Sequence, residues 1–248
     1  MSITPLEQFG NPILFLPLPL LSIGISKLTL YGIIIVILVT GFFALPFLNS
    51  ISFVGTRWTV TLEAFYTSLS SILKDQVGEG FSEYIPAVIS LFTFILFANL
   101  FSNIPYSFGF TTSVIVCLGL SFIIFIGVTI IGLTTHKLTW FSFFVPSGSP
   151  LALVPLLVVI EFISYIARAF SLGIRLLANL VAGHILMNVL SSMIWVIFTS
   201  GILYAVIALI PFTIFTGLFV LELAVSVIQA YVFTLLFCSY LNDAINLH

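Results

Sequence analysis

Tyr84–Thr135, YIPAVISLFTFILFANLFSNIPYSFGFTTSVIVCLGLSFIIFIGVTIIGLTT, runs for 52 residues without one charged side chain. A helix needs about 20 predominantly apolar residues to cross a bilayer. The polar turn Asn103–Gly109 divides the stretch into two such spans, about 84–102 and 111–135, and His136 and Lys137 close the second. In lipid a segment has to satisfy its own backbone hydrogen bonds. Even the β-branched run Ile33–Val39 therefore reads as helix, inside a span of 28–48 that starts after Lys27 and ends near Pro46 and Asn49.

The whole chain follows the same pattern. It is 61% hydrophobic and 6% charged, against about 25% charged in a soluble domain. Long unbroken apolar runs exclude a transmembrane barrel, whose strands alternate. The last hundred residues hold two long segments, about 151–191 and 194–240, with Pro146–Pro150 as the turn before them. They could make four short spans or two long helices; nothing inside 160–190 resembles a hydrophilic turn, which favours one long, tilted or bent hairpin turning near Leu190–Ser192. Residues 56–76 differ: Trp58, Leu62, Phe65, Leu69, Ile72 and Leu73 recur at helical steps, and Arg57, Glu63, Lys74 and Asp75 take the other faces. That is an amphipathic helix lying on the membrane, closed by the break Gly78–Gly80. Residues 1–26, with Pro5, Pro12, Pro17 and Pro19, form an irregular arm. The expected architecture is an all-α integral membrane protein in one membrane domain, with five membrane helices, the last two a long tilted hairpin, and one surface helix. Five crossings put Arg57, Lys74 and Lys137 on one side, the negative compartment by the positive-inside rule, and Lys27 on the other.

Several function classes drop out. Six cationic residues in no patch argue against nucleic acid as a partner. Cys117 and Cys238 lie in apolar runs and fit neither a metal site nor a disulfide framework. His136, His184 and His248 are too few and too scattered for paired haem ligation. No phosphate-binding Gly-rich loop is present, and no cofactor or metal is expected. The start, Met1-Ser-Ile-Thr-Pro-Leu-Glu-Gln-Phe9, is neither a basic signal region nor an Arg-rich transit peptide, which points to synthesis in the compartment the protein serves.

What remains is a set of polar groups at membrane depth. Arg175 sits in the middle of the first long segment, and a guanidinium stays charged at physiological pH. Placing it at a helix centre costs roughly 2.5–3.5 kcal/mol by insertion scales. At 100° per residue, Glu161, Ser164, Arg168, Ser171, Arg175 and Asn179 share one stripe about 80° wide, climbing about 21 Å from Glu161 to Arg175. His184 lies near the opposite face. The last helix offers Glu222, Ser226 and Gln229, then Asp243. With a turn at 190–194, Glu222 lies far from His184 along the helices, and contact between them needs staggered or tilted packing. Bland roles stay open for several: Arg168 with Glu161 as a structural ion pair, Asn99, Asn103, Asn179 and Gln229 as helix–helix glue, and Asp243 as a solvated end residue. Glu222 has no cation within many residues. A permanent cation together with titratable groups suits proton transport: carboxylates and His exchange protons, and Arg acts as a barrier. A continuous wire would short-circuit a gradient; two offset half-pathways, joined only by a moving carboxylate on another protein, would not.

Three segments carry a resemblance. The block Arg168–His184, RAFSLGIRLLANLVAGH, resembles the signature of subunit a of F-type ATP synthases, subunit 6 in mitochondria. Phe97–Tyr106, FANLFSNIPY, and Leu221–Phe233, LELAVSVIQAYVF, resemble two further motifs of that family. The resemblance covers nearly the whole chain, in order. It implies a proton-translocating stator subunit in the mitochondrial inner membrane, not catalytic by itself. Its implied partners are a ring of c subunits with lipid-buried carboxylates, the peripheral stalk, other small membrane-sector subunits and the surrounding lipid. It further implies that Arg175 is the essential arginine facing the ring, with Asn179 and Gln229 close to it. His184 and Glu222 belong to the half-channel of the intermembrane space, and Glu161 and Asp243 to that of the matrix. Arg168, Asn99, Asn103, Ser171 and Ser226 are supporting polar groups. Two alternatives stand beside this reading: a transporter working alone, with Arg175 binding an anionic substrate, and a structural subunit of a respiratory complex.

Overall fold

The computed structural model describes residues 13–15, 25–48, 57–78, 83–104, 109–145 and 153–245. The Pro146–Pro150 turn, much of the Pro-rich arm and the Glu79–Gly80 part of the break after the surface helix lie outside them. Two short strands, β1 (Ile13–Phe15) and β2 (Ile25–Ser26), pair antiparallel within the segment expected to be an irregular arm. Among the described residues everything else of length is helix: α1 (Lys27–Leu48), α2 (Arg57–Val77), α3 (Ile85–Ser102), α4 (Val114–His136), α5 (Val154–Thr199), α6 (Ile202–Ile207) and α7 (Leu209–Ile245), with 3₁₀ turns at Phe110–Thr112 and Lys137–Phe144. Five of these, α1, α3, α4, α5 and α7, are long and apolar enough to cross a membrane. The protein is an all-α membrane protein. Large apolar side chains cover its outside, Ile115 at 82% and Ile123 at 70% exposure among them, as a chain solvated by lipid requires.

α2 is the exception among the longer helices. Leu69, Leu73 and Val77, four residues apart, are its buried stripe, and Phe65 packs on Phe92 of α3 at a 5.5 Å ring separation. Its charged residues Arg57, Glu63, Lys74 and Asp75 stay exposed.

The hairpin turn is not at Leu190–Ser192. α5 continues through that point for 46 residues in all, about 69 Å of helix against a hydrocarbon layer of about 30 Å. The reason is local. Ser192 returns its hydroxyl to the carbonyl of Val189 at 2.7 Å, so a serine pair that would mark a turn in water is absorbed by the helix. The break comes at Ser200–Gly201, where Gly201 adopts φ +144°, a conformation other residues avoid. The short α6 and Ala208 complete the reversal. Pro155 and Pro211 both fall in the first turn of their helices, where the missing N–H costs nothing.

The chain divides into two compact units. One draws on Met1–Leu45, Thr93–Val114 and Leu177–Ala230, the other on Pro46–Phe92, Ile115–Leu176 and Tyr231–His248. In the first, Tyr31 and Phe42 of α1 pack edge-on against Phe101 and Phe97 of α3. In the second, Phe122 and Phe125 of α4 pack against Phe170 and Tyr165 of α5.

Candidate functional site

The polar residues singled out in the sequence fall into two clusters and one isolated charge. The first cluster belongs to the unit containing Leu177–Ala230. His184 Nε2 lies 2.9 Å from Ser102 Oγ at the end of α3. One helical turn before Ser102, Asn99 donates from Nδ2 to the carbonyl of Ser226 at 3.3 Å, tying α3 to α7. Glu222 packs against Gly183, the residue before His184: a methyl group at Gly183 would stand 2.6 Å from Glu222 Oε1. The displaced turn explains this proximity. Gly183 lies about as far before Ser200 as Glu222 lies after Ala208, so antiparallel helices bring the two level, which a turn at 190–194 would not.

This cluster is rich in unmet hydrogen-bonding capacity. Glu222 Oε1, Asn99 Oδ1 and both polar atoms of the Asn103 side chain are buried without a partner among the described residues. Buried polar groups left so are rare, and each calls for water or a ligand. Ser226 and Gln229 are also buried on α7, and Asn179 is half-buried on α5.

The second cluster belongs to the other unit and is closed by charge pairing. Arg168 Nη1 donates to Asp243 Oδ2 at 3.0 Å, and its Nη2 lies 3.5 Å from Glu161 Oε1. One guanidinium thus bridges carboxylates from α5 and α7, as its fork of donors allows. Beside it is a cavity of about 20 Å³ lined by Trp140, Tyr165, Arg168, Tyr240 and Asp243, room for one water. The Tyr165 hydroxyl pairs with that of Thr129 at 2.9 Å. His136, at the end of α4, donates from Nε2 to the carbonyl of Ile245 at 2.7 Å, which secures the last turn of α7.

Arg175 belongs to neither cluster. Ala169, Leu172, Leu176 and Leu180 form the buried face of α5. Arg175 lies on another face, exposed with Ala167, Phe170, Ser171, Ile174 and Ala178. No carboxylate among the described residues lies within ion-pairing distance of it. The single polar stripe expected from helical spacing is therefore divided. Glu161, Ser164, Arg168 and Asn179 are half-buried, while Ser171 and Arg175 face outward. Ser102, Tyr165 and Tyr240 were not among the predicted site residues. Among the described residues no group of three His, Cys, Asp or Glu could hold a metal ion.

Residues 29–242 match the family model of the ATP synthase A chain. The chain belongs to that family. It is 51% identical to ATP synthase subunit a of Mycosarcoma maydis, over 99% of this chain and 98% of the relative. It is 43% identical to that of Zancudomyces culisetae and 42% identical to that of Marchantia polymorpha, each over the full length of both chains. Membership of the A-chain family makes it a membrane-sector subunit of the ATP synthase, with a part in proton transport and ATP synthesis, and a multi-pass protein of the mitochondrial inner membrane.

Proposed function

We propose that the two clusters are two proton half-channels and that Arg175 is the charge that keeps them apart. His184 and Glu222 receive protons from the intermembrane space, Glu161 and Asp243 release them to the matrix, and Asn179 and Gln229 line the neighbourhood of the arginine. The moving link is a carboxylate carried by a ring of c subunits. The peripheral stalk and other small membrane-sector subunits hold this chain still as stator while the ring turns. The A chain itself performs no ATP chemistry.

The observation that carries the reading is Arg175: a permanent cation on an exposed helix face that is apolar apart from Ser171, without a carboxylate partner among the described residues. A charge so placed in hydrocarbon calls for an anionic partner, and a carboxylate on a neighbouring protein supplies one. The small residues around it, Ala167, Ser171 and Ala178, let a partner helix approach closely. The guanidinium favours the ionised form of an arriving carboxylate, so each ring carboxylate gives up its proton before passing. Because it cannot release a proton of its own, it blocks direct passage between the half-channels. Each charge moved through 100 mV yields about 2.3 kcal/mol, which appears as rotation of the ring.

Arg175→Ala in the assembled enzyme tests this. ATP synthesis driven by a proton gradient should fall to background while the complex still assembles. Unimpaired synthesis would defeat the proposed role.

A further inference from the structure

The two membrane histidines with resolved partners differ in what they face. His136 Nε2 meets the carbonyl of Ile245. A carbonyl only accepts, so Nε2 is the donor in that bond. His184 Nε2 meets the hydroxyl of Ser102 instead, 2.9 Å away. A hydroxyl both donates and accepts. When Nε2 lacks a proton, the Ser102 O–H can point at it. When Nε2 gains one, the same oxygen can accept from it. Serine keeps its own proton in both states, and the ring keeps its partner.

The surroundings favour such a role over plain packing. Ser102 is 1% exposed, so water is a poor substitute for its hydroxyl. Gly109 comes so close that a methyl there would stand 2.9 Å from Ser102 Oγ. Asn99 and Asn103 sit three residues before Ser102 and one after it, with polar atoms unmet among the described residues, as Glu222 Oε1 is. Those atoms are placed to hold water, which a proton path between protein groups needs.

We propose that Ser102 is a positioning residue for proton transfer, holding His184 Nε2 in one place in both of its protonation states. This makes the end of α3 a third wall of the intermembrane-space half-channel, beside α5 and α7. The inference rests on the reading of His184 as a group of that half-channel.

The test uses the intact enzyme in proteoliposomes, with proton flow measured against pH on the intermembrane-space side. Ser102→Ala should slow flow about fivefold, the scale of one hydrogen bond, and displace the pH profile. Ser102→Thr, which restores the hydroxyl, should recover most of the rate and the original profile. Ser102→Ala with wild-type rate and profile would overturn the proposal, as would a threonine variant no better than alanine. If the alanine variant does not assemble, Ser102→Cys, of similar size but a weak hydrogen-bonding group, carries the same expectation, and normal flow through it overturns the proposal too. His184→Ala separates the two levels. If it leaves flow unchanged, the half-channel reading itself fails; if it slows flow while Ser102→Ala does not, only the role of Ser102 fails.

Discussion

The clusters around Glu222 and around Asp243 each set a carboxylate of α7 against α5, yet they are built on opposite principles. Asp243 is held by Arg168, which also reaches Glu161. Glu222 has a buried oxygen with no partner among the described residues. The Asp243 carboxylate is thus already engaged by a guanidinium. The Glu222 carboxylate packs beside Gly183, the sequence neighbour of His184, with one oxygen unmet among the described residues. The contrast suits the proposed division of labour, in which one cluster takes up protons and the other releases them. Each cluster also carries a mark of its own: unmet amide atoms of Asn99 and Asn103 in the first, a one-water cavity flanked by Tyr165 and Tyr240 in the second.

The largest difference between the clusters should appear at Glu222. Glu222→Leu removes the proposed exchanging group without breaking an ion pair found among the described residues. Proton flow should drop at least about a hundredfold, the lower end of the range for a positioned acid–base group, with assembly unchanged. Normal flow in that variant would reduce Glu222 to packing.

Arg168→Leu should behave differently, because it leaves Glu161 and Asp243 without the cation between them. Like charges left together repel, and removing one partner of a pair strands the other. About a third of each side chain is exposed, which moderates the loss. The expected outcome is reduced assembly or a lower Tm of the complex, with the flow per assembled enzyme falling less than in Glu222→Leu. If Arg168→Leu assembled normally and stopped flow completely, the bridge would be a proton station rather than a clamp.

The smallest of these effects is expected at Gly183. Alanine is favoured over glycine in a helix by about 1 kcal/mol, so stability should hold or rise. Its methyl group, however, would stand 2.6 Å from Glu222 Oε1 and push the carboxylate aside. Gly183→Ala should therefore slow flow several-fold, the scale of one hydrogen bond disturbed, with assembly intact. Unchanged flow would show that the carboxylate can move without consequence.

Much of this was legible in the sequence, for physical reasons that also explain the gaps. Lipid leaves a backbone only one economical choice for a long apolar run, so α1, α3, α4, α5 and α7 could be read from composition. The hairpin turn could not, because Ser191 and Ser192 look like a turn only if water is available to them. Inside lipid, Ser192 serves itself from Val189, and the glycine nine residues further on was the better signal. That shift matters, since it brings Gly183 and Glu222 together. Arg175, Glu222 and His184 stood out because charge and imidazole are conspicuous in an apolar run. Ser102 did not: one serine at a helix end carries no pattern of its own, and its only clue was the flanking pair Asn99 and Asn103. The Arg168–Asp243 bond spans seventy-five residues, a separation at which spacing along one helix says nothing.

The most direct test of the central claim is cross-linking from the face of α5 that carries Arg175. Cysteines replacing Ile174 or Ala178, in the assembled enzyme, should cross-link to the ring helix that bears the carboxylate. Cysteines replacing Leu172 or Leu176, on the buried face, should not. Under turnover before cross-linking, every ring subunit should become available to the same cysteine. Cross-links from Ile174 and Ala178 only to stationary subunits, or labelling of them only by lipid probes, would contradict the account.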